Sequence, residues 1–546
     1  MSSRRREHKQ GRSHAGRTIL LGAICALLVA AALPTGAAAA GGSSGSVKAG
    51  ASGGSSGSLN VSAAISSGRP LTAHQRTVLK GIAADTWRFY GADVDPNTNL
   101  PLDNLGPGST RGTYTSAANI GVYLWAVVAA HDLGLITTER ANALAKATLN
   151  EVSTLKRYDG FLYQWYDTNN GNVMLNPDQG DCTATGGTTD NCSFVSAVDN
   201  GWYASGLIEV KQALPEVRGL AGRLLDAMDF SIFYDSRPQT NCNVNAALSI
   251  PHTGAMYGGY YVGVGPAQYH VDTLYSDPRI AIYMGMGRHQ MPGDVWWRTW
   301  RTLPPKQCST DPDFSYQGQW PPAGYWQTYT DPQSGKQFPV WEGHYVYPGT
   351  NLTFVPTYAG GMFEGLMANL VVPETTWGPH SLGLDDLRWP QVQIKYATQV
   401  LHYPVWGISP SSTADDTGGY GGFGVEGLAF GAGEGLALCN TCATETTVSP
   451  HASAIALPIL PQQAYDNLEN LRSLYPDIYT SDGGFYDAVN PTTTKVGHRR
   501  LVLDQSMIMA GIDDAVNDGA LQKRFAADPI SWAAKLYLSI EHMSIH

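Results

Sequence analysis

Apolar side chains recur along most of this chain with the 3.6-residue spacing of an α-helix, and this pattern predicts an all-α protein. Helix-start signals agree at two places, because Pro215 suits a first helical turn and Asp528-Pro529 precedes the last helix. The predicted helices, about twelve in number, cover residues 73–90, 116–133, 138–155, 196–212, 216–229, 276–288, 360–371, 389–402, 450–458, 462–474, 502–516 and 530–543.

Several predicted helices are apolar on more than one face, as residues 120–128 illustrate. Helices of this kind must be covered on two sides. About twelve of them, joined by long loops rich in aromatic residues and glycine, suit an (α/α)6 toroid, or barrel, whose inner helices lie between a core and an outer ring. A generic helical bundle leaves the long loops at 230–275 and 302–358 unexplained. The alternating residues 161–166 predict a strand or extended loop at the rim.

The N-terminal residues differ in composition from the remainder and predict export. A basic start, an apolar stretch at 19–33 and small residues at 38–40 match a signal peptide over residues 1–40. A retained membrane anchor is the alternative, although the apolar stretch is shorter than the ~20 residues that span a bilayer. Residues 41–64 form a Gly/Ser-rich linker that we expect to be flexible, and residues 65–546 form one domain. We therefore expect a secreted protein, extracellular or associated with the cell envelope.

Charge and composition narrow the range of partners. The chain of 546 residues carries a formal net charge of −11 and contains 28 Tyr and 14 Trp. Without residues 1–40 it keeps 29 basic and 45 acidic side chains, a net charge of −16. This composition disfavours nucleic acid as a partner, and its aromatic residues favour a polysaccharide or oligosaccharide. We expect a monomer that does not insert stably into a membrane once the signal peptide is removed.

Six cysteines remain once the signal peptide, which contains Cys25, is removed. An even number in an exported chain favours disulfides, although six cysteines allow fifteen pairings. Short loops favour the pairs Cys182–Cys192 and Cys439–Cys442 and leave Cys242 with Cys308. A zinc site would need two well-spaced Cys-x-x-Cys pairs or nearby His ligands, and the sequence has one such pair. We therefore predict no metal and no cofactor.

Three carboxylates are the candidate catalytic residues. Glu364 lies in an apolar segment, residues 360–367, with no basic side chain nearby in sequence. Burying an ionised carboxylate there costs several kcal/mol, so Glu364 either has a shifted pKa or faces a cavity. Asp199 and Asp277 lie at predicted helix starts, where an N-cap is the structural alternative, and the two roles can coexist.

Glycine-rich loops carrying single aromatic residues follow, between residues 406 and 426. Flat rings suit the faces of sugars, and glycoside cleavage needs two acids, one protonated and one ionised. Core packing is the alternative for each aromatic residue. The predicted substrate-binding residues are Trp165, Trp202, Trp406, Tyr420 and Phe423 for stacking, and Glu426 for hydrogen bonds to hydroxyl groups.

Other polar residues give weaker signals. Asp487 and Asp504 are interpreted as structural acids that bond to the backbone or to nearby arginines. His451 is interpreted as a core histidine whose hydrogen bonds are satisfied. Ser409 lacks Gly-x-Ser-x-Gly surroundings, which disfavours a serine hydrolase.

Several short runs, taken together, resemble one known family. The runs are TSAANIG (115–121), SAVDNGW (196–202), DPRI (277–280), MFE (362–364), WGISP (406–410), SPHAS (449–453) and GFYDAV (484–489). They resemble, in order, the bacterial glycoamylase-like family, which includes endo-β-1,2-glucanases and the glycoamylase-like domain of cyclic β-1,2-glucan synthases. The resemblance extends over residues 80–527 and so covers nearly all of the predicted domain.

This resemblance implies an (α/α)6 barrel with a long cleft and carboxylate catalysis on glucans. By the motifs, Asp199 matches an acid that the glucanases need, and Glu364 matches the nucleophile of retaining transglycosylase members. Asp277 stands where the family usually has Glu as general acid. The resemblance favours a secreted glycoside hydrolase acting on a glucan, with β-1,2-linked glucan as the substrate that the family suggests.

Two reaction schemes fit these acids, and the separation of the carboxyl groups decides between them. In an inverting scheme, Asp277 protonates the leaving oxygen while Asp199 or Glu364 activates water; in a retaining scheme, Glu364 attacks the anomeric carbon. A transglycosylase or a polysaccharide lyase on the same barrel stays open as an alternative. A non-catalytic carbohydrate-binding protein of the cell envelope also stays open, because Asp277 replaces the usual Glu.

Overall fold

The computed structural model of the chain describes residues 69–177, 180–182, 189–237, 256–271, 273–302, 323–357, 360–425 and 446–545. The predicted signal peptide and linker lie outside these residues. The helices are α1 (Ala73–Asp93), α2 (Ala117–Asp132), α3 (Thr138–Thr154), α4 (Ala197–Ala213), α5 (Arg218–Asp226), α6 (Arg279–Gly287), α7 (Asp294–Arg298), α8 (Met362–Leu366), α9 (Glu374–Trp377), α10 (Leu382–Lys395), α11 (Pro450–Ala456), α12 (Pro461–Leu474), α13 (Val502–Val516), α14 (Ala520–Ala527) and α15 (Trp532–Ile540).

The strands are short, with two exceptions. They are β1 (Asn104–Leu105), β2 (Arg111–Gly112), β3 (Tyr114–Thr115), β4 (Arg157–Tyr158), β5 (Phe161–Leu162), β6 (Tyr166–Asp167), β7 (Met174–Asn176), β8 (Gly180–Asp181), β9 (Phe194–Ser196), β10 (Gly259–Tyr261), β11 (Gly265–Pro266), β12 (Ala323–Thr330), β13 (Gln337–Val346), β14 (Thr353–Phe354), β15 (Ser411–Ser412), β16 (Tyr420–Gly421), β17 (Tyr479–Thr480), β18 (Gly484–Phe485), β19 (Ala488–Val489), β20 (Val496–Gly497) and β21 (Arg500–Leu501). The fold is mostly helical, and the short strands lie in the connections between helices.

The prediction of an all-α protein was too narrow. Strands β12 and β13 form an antiparallel hairpin, with Ala323 opposite His344 and Thr330 opposite Gln337, and β14 extends it. This hairpin occupies part of the segment that the sequence pattern indicates as a long loop. Aromatic and β-branched residues suit a strand, but most residues of β12 are exposed. The alternation that betrays a half-buried strand is therefore absent from the sequence.

The predicted long helices are present, but some boundaries were wrong. Helix α10 begins at Leu382 rather than at 389, and Pro390 lies inside it, although proline usually ends or begins a helix. Helices α7, α9 and α14 were not predicted at all. None of them exceeds eight residues, which is too short for a helical period to emerge from the sequence.

Six helices form a continuous set of neighbours. Helix α4 packs on α2, α2 on α13, α13 on α11, and α11 on α8, while α6 packs on α4. Arg279 in α6 donates hydrogen bonds to the backbone oxygens of Glu364 and Gly365 and so joins α6 to α8. Every residue of α2 from Ala117 to Ala130 is buried, as expected of a helix that is apolar on all sides.

Each of these six helices also packs against one helix outside the set. Helix α3 packs on α2, α5 on α4, α15 on α6, and α10 on α8. Helix α12 packs on α11, and α1 on α13. The cover that the apolar pattern requires is therefore supplied by neighbours within the set of six and by one further helix for each.

One predicted disulfide is confirmed and the other two pairs are not described. Cys182 and Cys192 are joined by a disulfide. The cysteines at 242, 308, 439 and 442 lie outside the described residues. Within the described part of the chain, no helix is long and apolar enough to cross a bilayer.

The crossing of α2 and α4 depends on two glycines. A Cβ atom on Gly121 would lie 2.4 Å from the carbonyl oxygen of Trp202, and a Cβ on Gly206 would lie 2.3 Å from the carbonyl oxygen of Gly121. Both distances are shorter than a van der Waals contact. The two backbones therefore approach more closely than any larger residue permits.

We expect Gly206→Ala to lower the free energy of unfolding by about 1–3 kcal/mol, because the helices must separate to admit the methyl group. Gly81→Ala is the matched control, since Gly81 is exposed within α1 and a Cβ there would meet nothing within 4 Å. That change should raise stability by up to about 1 kcal/mol. Urea unfolding measures both, and similar effects of the two substitutions would contradict the proposed crossing.

Candidate active site

A cleft lies where the N-terminal ends of several of these six helices meet. The lining residues come from the starts of α2, α4, α8 and α13, from the turn before α6, and from adjoining loops. They are Asp103, Ser116, Ala118, Asn119, Trp165, Val198, Asp199, Trp202, Asp277, Phe363, Met367, Tyr420 and Leu503. Because helix N-termini present unpaired N–H groups and positive dipole ends, this arrangement favours negative charge in the cleft.

Asp199 lies in the first turn of α4, and the N-cap interpretation of this residue is wrong. Ser196 caps the helix instead, because its hydroxyl accepts a hydrogen bond from the backbone N–H of Asp199 at 3.3 Å. The carboxylate is buried, and its Oδ2 accepts a hydrogen bond from Nε2 of Gln164 at 3.4 Å. Burial raises the pKa of Asp199. The carboxyl group is therefore available to the cleft.

Asp277 lies in the turn that leads into α6, and it does not cap that helix either. Pro278 occupies the cap position, without a side-chain cap. The Asp277 side chain is 7% exposed, and its Oδ1 accepts a hydrogen bond from the Ser276 hydroxyl at 3.2 Å. Burial, assisted by the negative charges of Glu364 and Asp199, raises the pKa of Asp277 to about 7.

Glu364 lies in the first turn of α8 and is 1% exposed. It is not among the described residues that line the cleft, although its neighbour Phe363 is. Its charge nevertheless acts on Asp277. The structure thus brings the three predicted carboxylates into electrostatic reach of one another, with two of them at the cleft wall. Paired acids with different proton affinities can divide the roles of proton donor and ionised partner.

The predicted sugar-stacking residues fall into two groups. Trp165, Trp202 and Tyr420 line the cleft. Trp406 does not line it; the residue is buried in the apolar core, and both its backbone N–H and its carbonyl bond to the side chain of Asn467. The core-packing alternative therefore describes Trp406.

Phe423 and Glu426 complete the set of predicted binding residues. Phe423 is half-buried, packs against the core, and is absent from the described lining of the cleft. A Cβ on Gly421 would lie 2.6 Å from its ring, so the glycine makes room for it. Glu426 lies outside the described residues.

The glycoamylase family model matches this chain. It carries the description "putative glucoamylase" and matches residues 386–529. A second family model, described as a protein of unknown function (DUF3131), matches residues 81–232. The cyclic β-(1,2)-glucan synthase NdvB of Rhizobium meliloti (strain 1021) is 24% identical to the chain. That similarity covers 84% of this chain but spans 18% of the synthase.

Solved structures are similar over most of the chain. An endo-β-1,2-glucanase from Chitinophaga pinensis has a TM-score of 0.59 at 15% identity and covers 86% of this chain and 98% of its own. A β-1,2-glucanase from Parabacteroides distasonis has a TM-score of 0.62 at 15% identity, and the match covers 86% of this chain and 60% of the glucanase. A putative glucoamylase from Bacteroides fragilis has a TM-score of 0.59 at 18% identity, and the match covers 87% of this chain and 98% of the glucoamylase. These matches confirm the resemblance that the sequence motifs indicate, and they establish a shared fold.

Asp103 and Asn119 also line the cleft, although neither was predicted as a site residue. Asp103 is buried; its Oδ1 accepts a hydrogen bond from Nδ2 of Asn119, and its Oδ2 accepts one from Nδ2 of Asn104, each at 2.9 Å. Asn119 belongs to one of the motif runs, which was the available signal. Nothing in the sequence around Asp103 distinguishes it from an acid in a turn.

Arg279 in α6 forms a buried ion pair with Glu374 in α9 and also bonds to the backbone of α8. Arg279 donates from Nε and Nη2 to the two carboxylate oxygens of Glu374, at 2.8 and 2.7 Å. Its Nη1 also donates to the backbone oxygens of Ser276 and Glu364. One guanidinium therefore bonds to the residue before Asp277 and to the backbone of Glu364, and it sets the positions of the two acids relative to each other.

Proposed function

We propose that this protein is a secreted glycoside hydrolase that cleaves a β-1,2-linked glucan by paired-carboxylate catalysis. The observation that carries the proposal is the environment of Asp277, a buried acid at the cleft wall. Burial and the negative charges of two nearby carboxylates raise its pKa to about 7. Such a group keeps its proton near neutral pH and can donate it to a leaving oxygen. The similarity to endo-β-1,2-glucanases supports the choice of glucan and linkage.

In this proposal Asp277 protonates the glycosidic oxygen as the bond to the anomeric carbon breaks. Asp199 or Glu364 stays ionised and acts on the opposite side of the sugar. In the inverting form it activates water; in the retaining form Glu364 attacks the anomeric carbon, and Asp277 then activates the water that releases the product. Proton NMR of the first product distinguishes the two, because the anomer is inverted in one case and retained in the other.

We extend the proposal to an (α/α)6 toroid. Six inner helices that neighbour one another, each with an outer helix, are what that architecture requires. The meeting of helix N-termini at one cleft supports it further. In such a ring each helix is covered on both sides.

The lining of the cleft suits a neutral glucan better than a uronate polymer. Trp165 and Tyr420 supply flat faces for sugar rings, whereas Trp202 is 2% exposed and packs edge-to-face against Trp125. Among the described lining residues none is lysine or arginine, whereas three are aspartates. A polysaccharide lyase must neutralise the carboxylate of a uronate, and the described lining offers no basic side chain to do so.

Transglycosylation is the second candidate, because the chain is similar to a protein named a cyclic β-(1,2)-glucan synthase. Both reactions can begin with the same cleavage, and they differ in whether water or a sugar hydroxyl accepts the glycosyl group. Mass spectrometry of products from a single linear oligosaccharide separates them. If every product is shorter than the starting oligosaccharide, the reaction is hydrolysis. Longer or cyclic products indicate transfer.

The proposed function is tested by measuring reducing sugar released from a glucan panel that includes linear β-1,2-glucan. We expect release from the β-1,2-linked polymer, and Glu364→Gln, purified in parallel, should release none above background. That variant also controls for a contaminating hydrolase. If the unaltered protein binds the glucan in a gel-retardation assay but forms no product, the carbohydrate-binding alternative is correct.

The proposed role of Asp277 also predicts a pH profile. Because its pKa is raised to about 7, the carboxyl group holds its proton below that pH and loses it above. We expect kcat/KM to fall as the pH rises through about 7, with a slope of one proton. Circular dichroism at each pH checks that the fold persists. An activity that increases between pH 7 and 9 would rule out Asp277 as the proton donor.

A further inference from the structure

A buried cluster outside the cleft combines an imidazole with two carboxylates. His451 lies in the first turn of α11, Asp487 between β18 and β19, and Asp504 in the first turn of α13. One ligand atom from each lies within 4.8 Å of the others. The three side chains are 1%, 2% and 1% exposed. Three separate parts of the chain thus bring metal-binding side chains to one point.

Most polar atoms of this cluster lack hydrogen-bond partners among the described residues. Both ring nitrogens of His451, both carboxylate oxygens of Asp504 and Oδ1 of Asp487 are buried and unpartnered. The Oδ2 of Asp487 accepts a hydrogen bond from the backbone N–H of Ser412 at 2.6 Å. Nδ1 of His451 lies 3.4 Å from Oδ2 of Asp504, without forming a hydrogen bond. Buried polar atoms are normally satisfied, so a cluster of five requires an explanation.

The charge of the cluster points to a cation. Asp487 and Asp504 were expected to bond to the backbone or to nearby arginines. Asp487 does accept a hydrogen bond from a backbone N–H, but in the described part of the chain no ion pair joins either acid to an arginine. Arg499 instead donates from Nη1 to the carbonyl of Gly418, and Arg500 donates to the carbonyl of Phe485. Two buried carboxylates with a neutral imidazole balance the charge of one divalent cation.

We propose that His451, Asp487 and Asp504 bind a divalent first-row transition cation, zinc in the first instance. Imidazole nitrogen and carboxylate oxygen are ligands that zinc accepts at about 2.0–2.2 Å. In tetrahedral geometry these bond lengths place ligand atoms about 3.3–3.6 Å apart. Nδ1 of His451 and Oδ2 of Asp504 already lie 3.4 Å apart, and donor atoms that lie up to 4.8 Å apart move closer around the ion. Calcium fits poorly, because it takes six to eight oxygen ligands.

A fourth ligand is available beside the cluster. The Ser412 hydroxyl is buried and unpartnered, and its own backbone N–H bonds to Asp487. Either this oxygen or a water molecule completes the tetrahedron. The site differs from the motif considered in the sequence, which required cysteines, and its ligands are too far apart in the chain to form a recognisable spacing.

The cation acts on the cleft from behind and takes no part in bond cleavage. Asp504 follows Leu503, which lines the cleft. The ring of Phe363, another lining residue, lies 6.2 Å from the ring of His451. A metal that ties α11, α13 and the β18–β19 connection together therefore fixes the cleft wall beside Glu364. This role does not depend on which glycosidic bond the protein cleaves.

The proposal is tested on the full-length chain, without a histidine tag, purified in the absence of chelators. Inductively coupled plasma mass spectrometry is expected to find about one zinc per chain. Dialysis against EDTA should lower the melting temperature by several degrees, and added Zn²⁺ should restore the original value. The reason is that an ion that binds the folded state stabilises that state. Mn²⁺ and Ca²⁺ are added in separate samples, and restoration by Ca²⁺ alone would overturn the assignment of a transition cation.

Variants locate the ion. Asp504→Asn should lose the bound zinc, whereas Asp513→Asn, a buried acid in the same helix, should retain it. If both variants fold poorly, the chelation and metal analyses of the unaltered protein still decide the question. Absence of bound metal, together with an unchanged melting temperature after EDTA and after added Zn²⁺, would overturn the proposal and assign the cluster to a proton shared between the two aspartates.

Discussion

Asp277→Asn is expected to lower kcat on linear β-1,2-glucan by about 10²–10⁴-fold, the range for removal of a general acid. Asparagine keeps the size of the side chain but offers no proton of suitable acidity to the leaving oxygen. On an aryl β-glucoside with an acidic phenol as leaving group, most of this loss should disappear, because the phenolate departs without protonation. Steady-state kinetics on the two substrates measure the two losses.

Glu364→Gln is the matched comparison for that experiment. It removes a buried carboxylate beside the same cleft but leaves the proposed proton donor in place. We expect its loss of activity to persist on the aryl glucoside, because attack on the anomeric carbon still needs either a nucleophile or an activated water. If Asp277→Asn lowers kcat equally on both substrates, the role of Asp277 is structural and another group donates the proton.

Glu374→Ala is expected to lower the free energy of unfolding by about 3–5 kcal/mol, the largest effect of any single change considered. Arg279 and Glu374 are each 0% exposed, and the hydroxyl of Tyr283 also donates to Glu374. Removal of the carboxylate leaves a guanidinium charge buried without its counter-ion. Urea unfolding, with the slope compared between variants, measures the loss.

A surface ion pair provides the control for that change. Arg472 and Glu469 lie 2.9 Å apart with side chains 35% and 40% exposed. Glu469→Ala should lower the free energy of unfolding by no more than about 1 kcal/mol, because solvent screens the pair. The double variant Arg279→Met/Glu374→Leu should recover part of the stability lost in Glu374→Ala. Equal losses in Glu374→Ala and Glu469→Ala would mean that burial of the Arg279 pair has no energetic consequence.

The helical scaffold could be predicted because its signal is local. In α2 every residue from Ala117 to Ala130 is buried, and an uninterrupted apolar run of that length permits little besides a helix covered on two sides. The hairpin of β12 and β13 could not be predicted in the same way. Most residues of β12 are exposed, so its sequence does not show the alternation of apolar and polar residues that marks a half-buried strand. The two strands are held together by hydrogen bonds between residues on either side of the connecting turn.

The candidate site was predictable in part. Asp199 and Asp277 stood out as acids at helix starts, and family motifs marked them as a set with Glu364. Trp406 and Tyr420 are both aromatic residues next to glycine, one glycine for Trp406 and two for Tyr420, yet Trp406 packs in the core and Tyr420 lines the cleft. The sequence around each residue does not differ in a way that decides this. The direction of a side chain depends on which helices pack on either side of its loop.

By itself the sequence determined where most of the long helices lie and which acids stand at their starts, since both depend on residues within one or two turns. Only the tertiary structure decided that those starts meet at one cleft, that Asp103 joins it, and that His451, Asp487 and Asp504 converge behind it. Each of these juxtapositions joins residues far apart in the chain. They follow from the order in which the helices pack, and helical periodicity does not encode that order.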